Sequence, residues 1–128
     1  MHAEITALYL ALTSFLFVGL SYRVAAQRKR SKVGLGIGDD PALEKAVRIQ
    51  ANLAEYAPVA LLLMLVYEIN GGAVWLLHLT GAVFVIGRVF HAQGLTSSTG
   101  TSFGRFTGVM ATWSVILVLA VANIWIVL

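Results

Sequence analysis

Four stretches of this chain are nearly free of ionisable side chains, and polar segments separate them. Ile5–Tyr22 carries none across 18 residues, Ile69–Gly87 carries only His78 across 19, and Phe106–Leu128 carries none across 23. About 20 helical residues cross a hydrocarbon core about 30 Å thick. The fourth stretch, Ala57–Tyr67, is only 11 residues long, between Glu55 and Glu68. Extended back to about Ala46 it reaches spanning length, but then takes in Arg48, Asn52 and Glu55. Helices satisfy their own backbone polar groups in lipid. The pattern therefore predicts an all-α integral membrane four-helix bundle, one domain over 1–128, with spans near 5–23, 45–68, 73–93 and 104–127.

Composition supports lipid as the solvent. Hydrophobic residues make up 59% of the 128, charged residues only 12%, and the mean hydropathy is +0.84. A soluble domain has roughly 25% charged residues. Cysteine is absent, which excludes disulfides, thiolate metal sites and a cysteine nucleophile, so any thiol chemistry needs a thiol from the substrate. The histidines offer no ligand spacing for a metal. No Lys or Arg precedes the first stretch, and Glu4 lies there instead, so it reads as a span rather than a cleaved leader.

Charge sets the orientation. Net charge is +3, and Arg23, Arg28, Lys29, Arg30 and Lys32 fall within ten residues after the first span. In a membrane chain this is a topology signal before it is a nucleic-acid patch. The first connection, with six Lys or Arg from Arg23 to Lys45, is expected in the cytoplasm, and both termini on the other side. Gly34–Asp40 reads as a loop, with Asp40 as N-cap and Pro41 at the first helical position. Thr96–Ser102 reads as a second polar loop, and Gly104-x-x-x-Gly108 is a spacing that permits close helix packing.

The chemistry lies on the second helix. Glu44, Arg48, Asn52 and Glu55 are spaced four, four and three, which makes one stripe. Tyr56 lies beside it, and Gln50 points nearly the other way. Charged groups at membrane depth cost about 2.5–3.5 kcal/mol on insertion scales. Arg48 and Glu55 are thus expected to face protein or a wet cavity. The stripe can be structural, with Glu44 pairing Arg48 at i,i+4, or it can line a pocket for a small zwitterion. Arg88, His91 and Gln93 end the third span, and Arg105 opens the fourth. Arg88 reads equally as a snorkelling arginine or a site residue. His78 reads as a hydrogen-bonded packing residue.

The segment Glu44–Pro58, read as E-x-x-x-R-x-Q-x-N-x-x-E-Y-x-P, resembles the signature of the MAPEG family, the membrane-associated proteins of eicosanoid and glutathione metabolism. Arg88-Val89-Phe90-His91-Ala92-Gln93-Gly94 is similar to that family's third-helix end. The likeness covers essentially the whole chain, and is nearest to small bacterial members of the inner membrane. It implies a homotrimer holding glutathione as co-substrate between subunits at the cytoplasmic side. It puts Arg48, Asn52, Glu55 and Tyr56 on glutathione, with Gln50 reaching from the adjacent subunit. Arg28 matches an arginine for a glutathione carboxylate, with Arg88 and His91 at the same level. Arg105 matches the arginine that stabilises the thiolate, the catalytic role. A cation lowers a thiol pKa near 8.5 and so creates the nucleophile.

The resemblance implies a transferase or peroxidase acting on lipophilic electrophiles from membrane lipid, with no metal and no nucleic acid. Where catalytic members often carry tyrosines, this chain has His91 and Leu95. The alternative is a non-catalytic membrane protein keeping the fold for a structural or ligand-binding role. A four-span drug transporter is disfavoured, because the first span lacks a carboxylate.

Overall fold

The computed structural model describes residues 2–97 and 102–128, with backbone only at 95–97. Four helices run in order: α1 (Glu4–Ser31), α2 (Pro41–Ile69), α3 (Val74–Ser97) and α4 (Phe103–Val127). All four are long and apolar enough to cross a membrane. The four-span expectation is met. The polar loop expected over Thr96–Ser102 lies largely outside the described residues, as does the side chain of Leu95.

Two helices are longer than their hydropathy. α1 has 28 residues and α2 has 29, about 42–44 Å at 1.5 Å per residue. Twenty residues counted from the end shared by Glu4 and Ile69 reach Arg23 on α1 and about Ile49 on α2. The remaining eight or so residues of each form a hairpin about 12 Å beyond the hydrocarbon. Val24–Ser31 stays helical because Ala, Gln, Arg and Lys are good helix formers in water as well. Asp40 caps α2 as the sequence implied, its Oδ1 accepting from the Ala42 amide at 2.9 Å, with Pro41 following. Its other carboxylate oxygen accepts from Gln27 Nε2 at 2.8 Å and from the Ser31 hydroxyl, which pins the loop back onto α1. These bonds, that from Ser31 foremost, hold the Asp40 carboxyl well below its usual range, at about 2.

Buried positions recur at spacings of three and four. On α2 they include Ile49, Leu53, Ala57, Ala60, Met64 and Tyr67; on α3, Leu77, Thr80, Phe84, Gly87 and His91; on α4, Gly108, Thr112, Val115 and Leu119. That is the seam of a left-handed bundle. α2 and α3 each touch every other helix, whereas α1 and α4 do not touch among the described residues. α3 and α4 approach most closely. A Cβ on Gly108 would lie 2.4 Å from the Gly87 carbonyl, and one on Gly104 would lie 2.9 Å from that of Phe90. The Gly104-x-x-x-Gly108 spacing therefore serves packing inside the subunit.

In lipid, apolar packing between helices gains nothing from leaving water, so close fit and polar contacts hold the bundle. Each touching pair of helices has such a contact. Glu68 accepts from the amides of Ile5 at 2.9 Å and Thr6 at 2.7 Å, so α2 caps the N-terminus of α1. Tyr9 Oη meets His78 Nδ1 at 3.1 Å and donates to the His78 carbonyl at 3.0 Å, joining α1 to α3. Asn123 Nδ2 donates to the Leu63 carbonyl at 3.0 Å, joining α4 to α2. Arg88 supplies the remaining links.

Candidate functional site

The polar stripe of α2 divides in two. Asn52 turns inward and is half-buried. Its Oδ1 accepts from Arg88 Nη2 on α3. Arg88 is only 2% exposed. Its Nη1 donates to Thr112 Oγ1 on α4 at 3.4 Å, and its Nη2 lies 3.3 Å from His91 Nδ1. One guanidinium thus joins three helices, about five residues below the membrane surface. Of the two readings the sequence left for Arg88, snorkelling to water does not hold: the side chain goes inward because Asn52, His91 and Thr112 offer acceptors there. Thr112 escaped sequence reasoning, since a threonine in an apolar span gives no periodic signal. Tyr56, one turn beyond Asn52, is half-buried and close enough to Arg88 to feel its charge.

The outward half of the stripe is open. Arg48 Nη1 lies 3.8 Å from Glu55 Oε1, and the two side chains are 58% and 55% exposed. The pairing is i,i+7, across two turns. In place of the Glu44–Arg48 pairing of the structural reading, Arg48 pairs with Glu55. Glu55 lies at the midpoint of α2, about six residues inside the membrane boundary drawn above. Gln50 is half-buried and lies off this line, as its position on the helical wheel requires.

Arg28 is committed elsewhere. Its Nη1 donates to the Gly36 carbonyl at 2.7 Å and approaches that of Val33 at 3.5 Å, holding the loop between α1 and α2. Arg105 is exposed at the first turn of α4. The Ser102 hydroxyl caps that turn by accepting from the Arg105 amide at 3.3 Å. Arg105 stands near enough to His91 for their charges to interact. Toward the basic side of the bundle, Asn52, Arg88, His91 and Thr112 are joined across three helices, Arg48 and Glu55 pair on the outer surface of α2, Arg105 opens α4, and Arg28 holds the loop.

Below the Arg48–Glu55 pair, α1 and α2 enclose an apolar groove of about 760 Å³. Ala54 and Pro58 form part of its wall and lie within about 100° of Glu55 around α2. Phe17 lines it at about the level of Glu55, and Leu10, Leu61 and Leu65 continue it toward the other membrane face.

Four spanning helices, a buried arginine tying three of them, and a charged pair on the second helix define a multi-pass membrane protein. The family model of the MAPEG family matches residues 6–125, and the chain belongs to that family. Among curated proteins it is 36% identical to "Inner membrane protein YecN" of Escherichia coli K12, over 94% of this chain and 91% of that protein. The same protein of Escherichia coli O6:H1 matches to the same extent.

Proposed function

We propose that this protein binds glutathione at the Arg48–Glu55 level and directs its thiol toward lipophilic electrophiles as a transferase or peroxidase. The observation that carries the reading is the half-exposed Arg48–Glu55 pair. It lies on the outer surface of α2 and reaches from the membrane boundary to about six residues inside it, with both side chains more than half exposed. Charges left to lipid are costly, so this surface needs a second copy of the chain and a polar ligand. A homotrimer supplies the copy, with Gln50 of one subunit approaching the pocket of the next, and glutathione supplies the polar ligand.

Glutathione brings two carboxylates, an ammonium and a thiol. Arg48 suits a carboxylate, Glu55 the ammonium, and Asn52 and Tyr56 amide-type contacts. Arg105 suits the thiolate, because it stays charged and lies next to the positive end of α4. The apolar groove beside Glu55 suits the lipophilic partner arriving from the bilayer. The name of the curated relatives points to the inner membrane, and the positive-inside rule places the basic hairpin in the cytoplasm and both termini opposite.

A second reading draws on Arg28 and Arg88. Both guanidiniums are engaged within the subunit, which leaves fewer cations for ligand than the family pattern implies. A member that binds glutathione without activating it would look like this. Adding glutathione to detergent-purified protein decides between the two. The ultraviolet band of a thiolate, lost in Arg105→Ala with binding retained, supports the transferase reading. Binding with neither band nor turnover supports the non-catalytic one, and no binding at all removes both.

A further inference from the structure

Pro58 stands in the interior of α2, and the helix runs unbroken through it. Proline has no amide hydrogen, so the carbonyl four residues back, that of Ala54, loses its helical donor. Ala54 and Pro58 both belong to the wall of the α1–α2 groove, and both are exposed. They lie about five and nine residues inside the membrane boundary at Ile49, roughly 8 and 13 Å deep. Water is scarce at that depth, and a backbone carbonyl freed by proline is met there by a neighbouring helix or a hydroxyl side chain. The hydroxyls in the groove wall are those of Thr6, Thr13 and Ser14. Thr13 donates to the Tyr9 carbonyl at 2.7 Å and Ser14 to that of Leu10 at 2.8 Å, both within α1. Thr6 lies at the far end of the groove, where its amide bonds Glu68. Among the described residues no other helix donates to the Ala54 carbonyl.

We propose that the Ala54 carbonyl is the acceptor by which the groove selects its occupant, an apolar molecule carrying one O–H donor, as in an alcohol or a hydroperoxide. This rests on the reading of the groove as the place of the lipophilic partner, and narrows it. Helix carbonyls point along the axis toward the C-terminus, so the Ala54 oxygen points to Pro58, whose ring crowds it. An acceptor left unmet in an apolar wall is costly. A hydroxyl that reaches it supplies the missing bond, whereas a molecule without a donor leaves it unmet. Beyond this oxygen the wall is apolar, with Leu61 and Leu65 on α2 and Ala7 and Leu10 on α1. Ala54 to Leu65 spans about 16 Å, room for a long chain whose donor stays at the Glu55 end. A hydroperoxide brings such a donor, and an alkyl or aryl halide brings none. Pro58 acts through Ala54 and is a positioning residue.

The test uses the full-length protein in detergent and two photoactivatable probes, a long-chain alcohol with a diazirine in its chain and the methyl ether of that alcohol. Labelled peptides are identified by mass spectrometry. The wild-type protein is expected to take the alcohol into the α1–α2 groove at about fivefold lower concentration than the ether, the worth of one neutral hydrogen bond. Pro58→Ala restores the N–H and is expected to lose that preference, while binding the ether within about twofold of wild type. Lactic acid at position 58, the hydroxy-acid counterpart of alanine, brings neither the ring nor an N–H and is expected to keep the preference. That arm separates the free carbonyl from the shape proline gives the helix. Competition by the unlabelled alcohol and by the matching alkyl hydroperoxide ranks the two sources of the donor; displacement by neither overturns the proposal. So does a groove labelled without preference, a preference untouched by Pro58→Ala, or one lost equally with lactic acid. If neither probe labels the groove, the groove is not the place of the lipophilic partner, and that reading falls together with the proposal. Alanine is a better helix former than proline, so Pro58→Ala is expected to fold. Should its Tm fall, Pro58→Leu carries the same N–H and takes its place.

Discussion

Asn52 and Glu55 stand three residues apart on one helix, yet their surroundings are opposite. Asn52 is bonded to a guanidinium that is itself buried among three helices. Glu55 shares an ion pair with Arg48 on the open surface, at 3.8 Å. The inner group joins three helices within one subunit. The outer group stays more than half exposed. A single sequence motif thus contains both residues that join helices and residues that stay on the surface.

Substitutions can break that distinction. Arg48→Ala or Glu55→Ala is expected to weaken glutathione binding by on the order of 2–5 kcal/mol, the range for truncating one partner of a desolvated pair. Stability should change by less than about 1 kcal/mol, since an exposed pair contributes little. Calorimetry and thermal unfolding of the same samples check both halves; unchanged binding in both variants would make the outer pair structural. Arg88→Ala reverses the pattern. It leaves Asn52 unpaired and opens a cavity, for a loss of about 3 kcal/mol in stability. A variant as stable as wild type would show that the three-helix junction is dispensable.

The packing beside the junction gives a smaller effect. Gly108→Ala places a methyl 2.4 Å from the Gly87 carbonyl, so α3 and α4 must separate. The expected cost is about 1–3 kcal/mol, read as a lower Tm. Asp40 gives the smallest. Its carboxyl is held at about 2 against an ordinary 3.8, so the folded state favours the ionised form. That contribution is complete above pH 4 and is lost as pH falls from about 4 to about 2. Asp40→Asn should remove this acid dependence while leaving glutathione binding intact. A pH profile unchanged by the substitution would assign the dependence elsewhere.

The sequence by itself determined the spans, because hydropathy and length are sums over residues and need no partner. It also supplied the start of α2 at Asp40 and Pro41, where the side chain bonds its own backbone. The family was legible in the spacing from Glu44 to Pro58, since a charged stripe inside an apolar helix is rare. The side each helix buries was not legible. In a span that is apolar all round, Phe15 and Leu20 read alike, though one is 78% exposed and the other 6%. Only the tertiary structure decided that, through the glycines that let α3 meet α4 and the few polar atoms each helix had to place. It also decided that Arg88 turns inward while Arg48 stays outside. Both are arginines near the basic face, and what separates them is whether acceptors from other helices converge on the guanidinium.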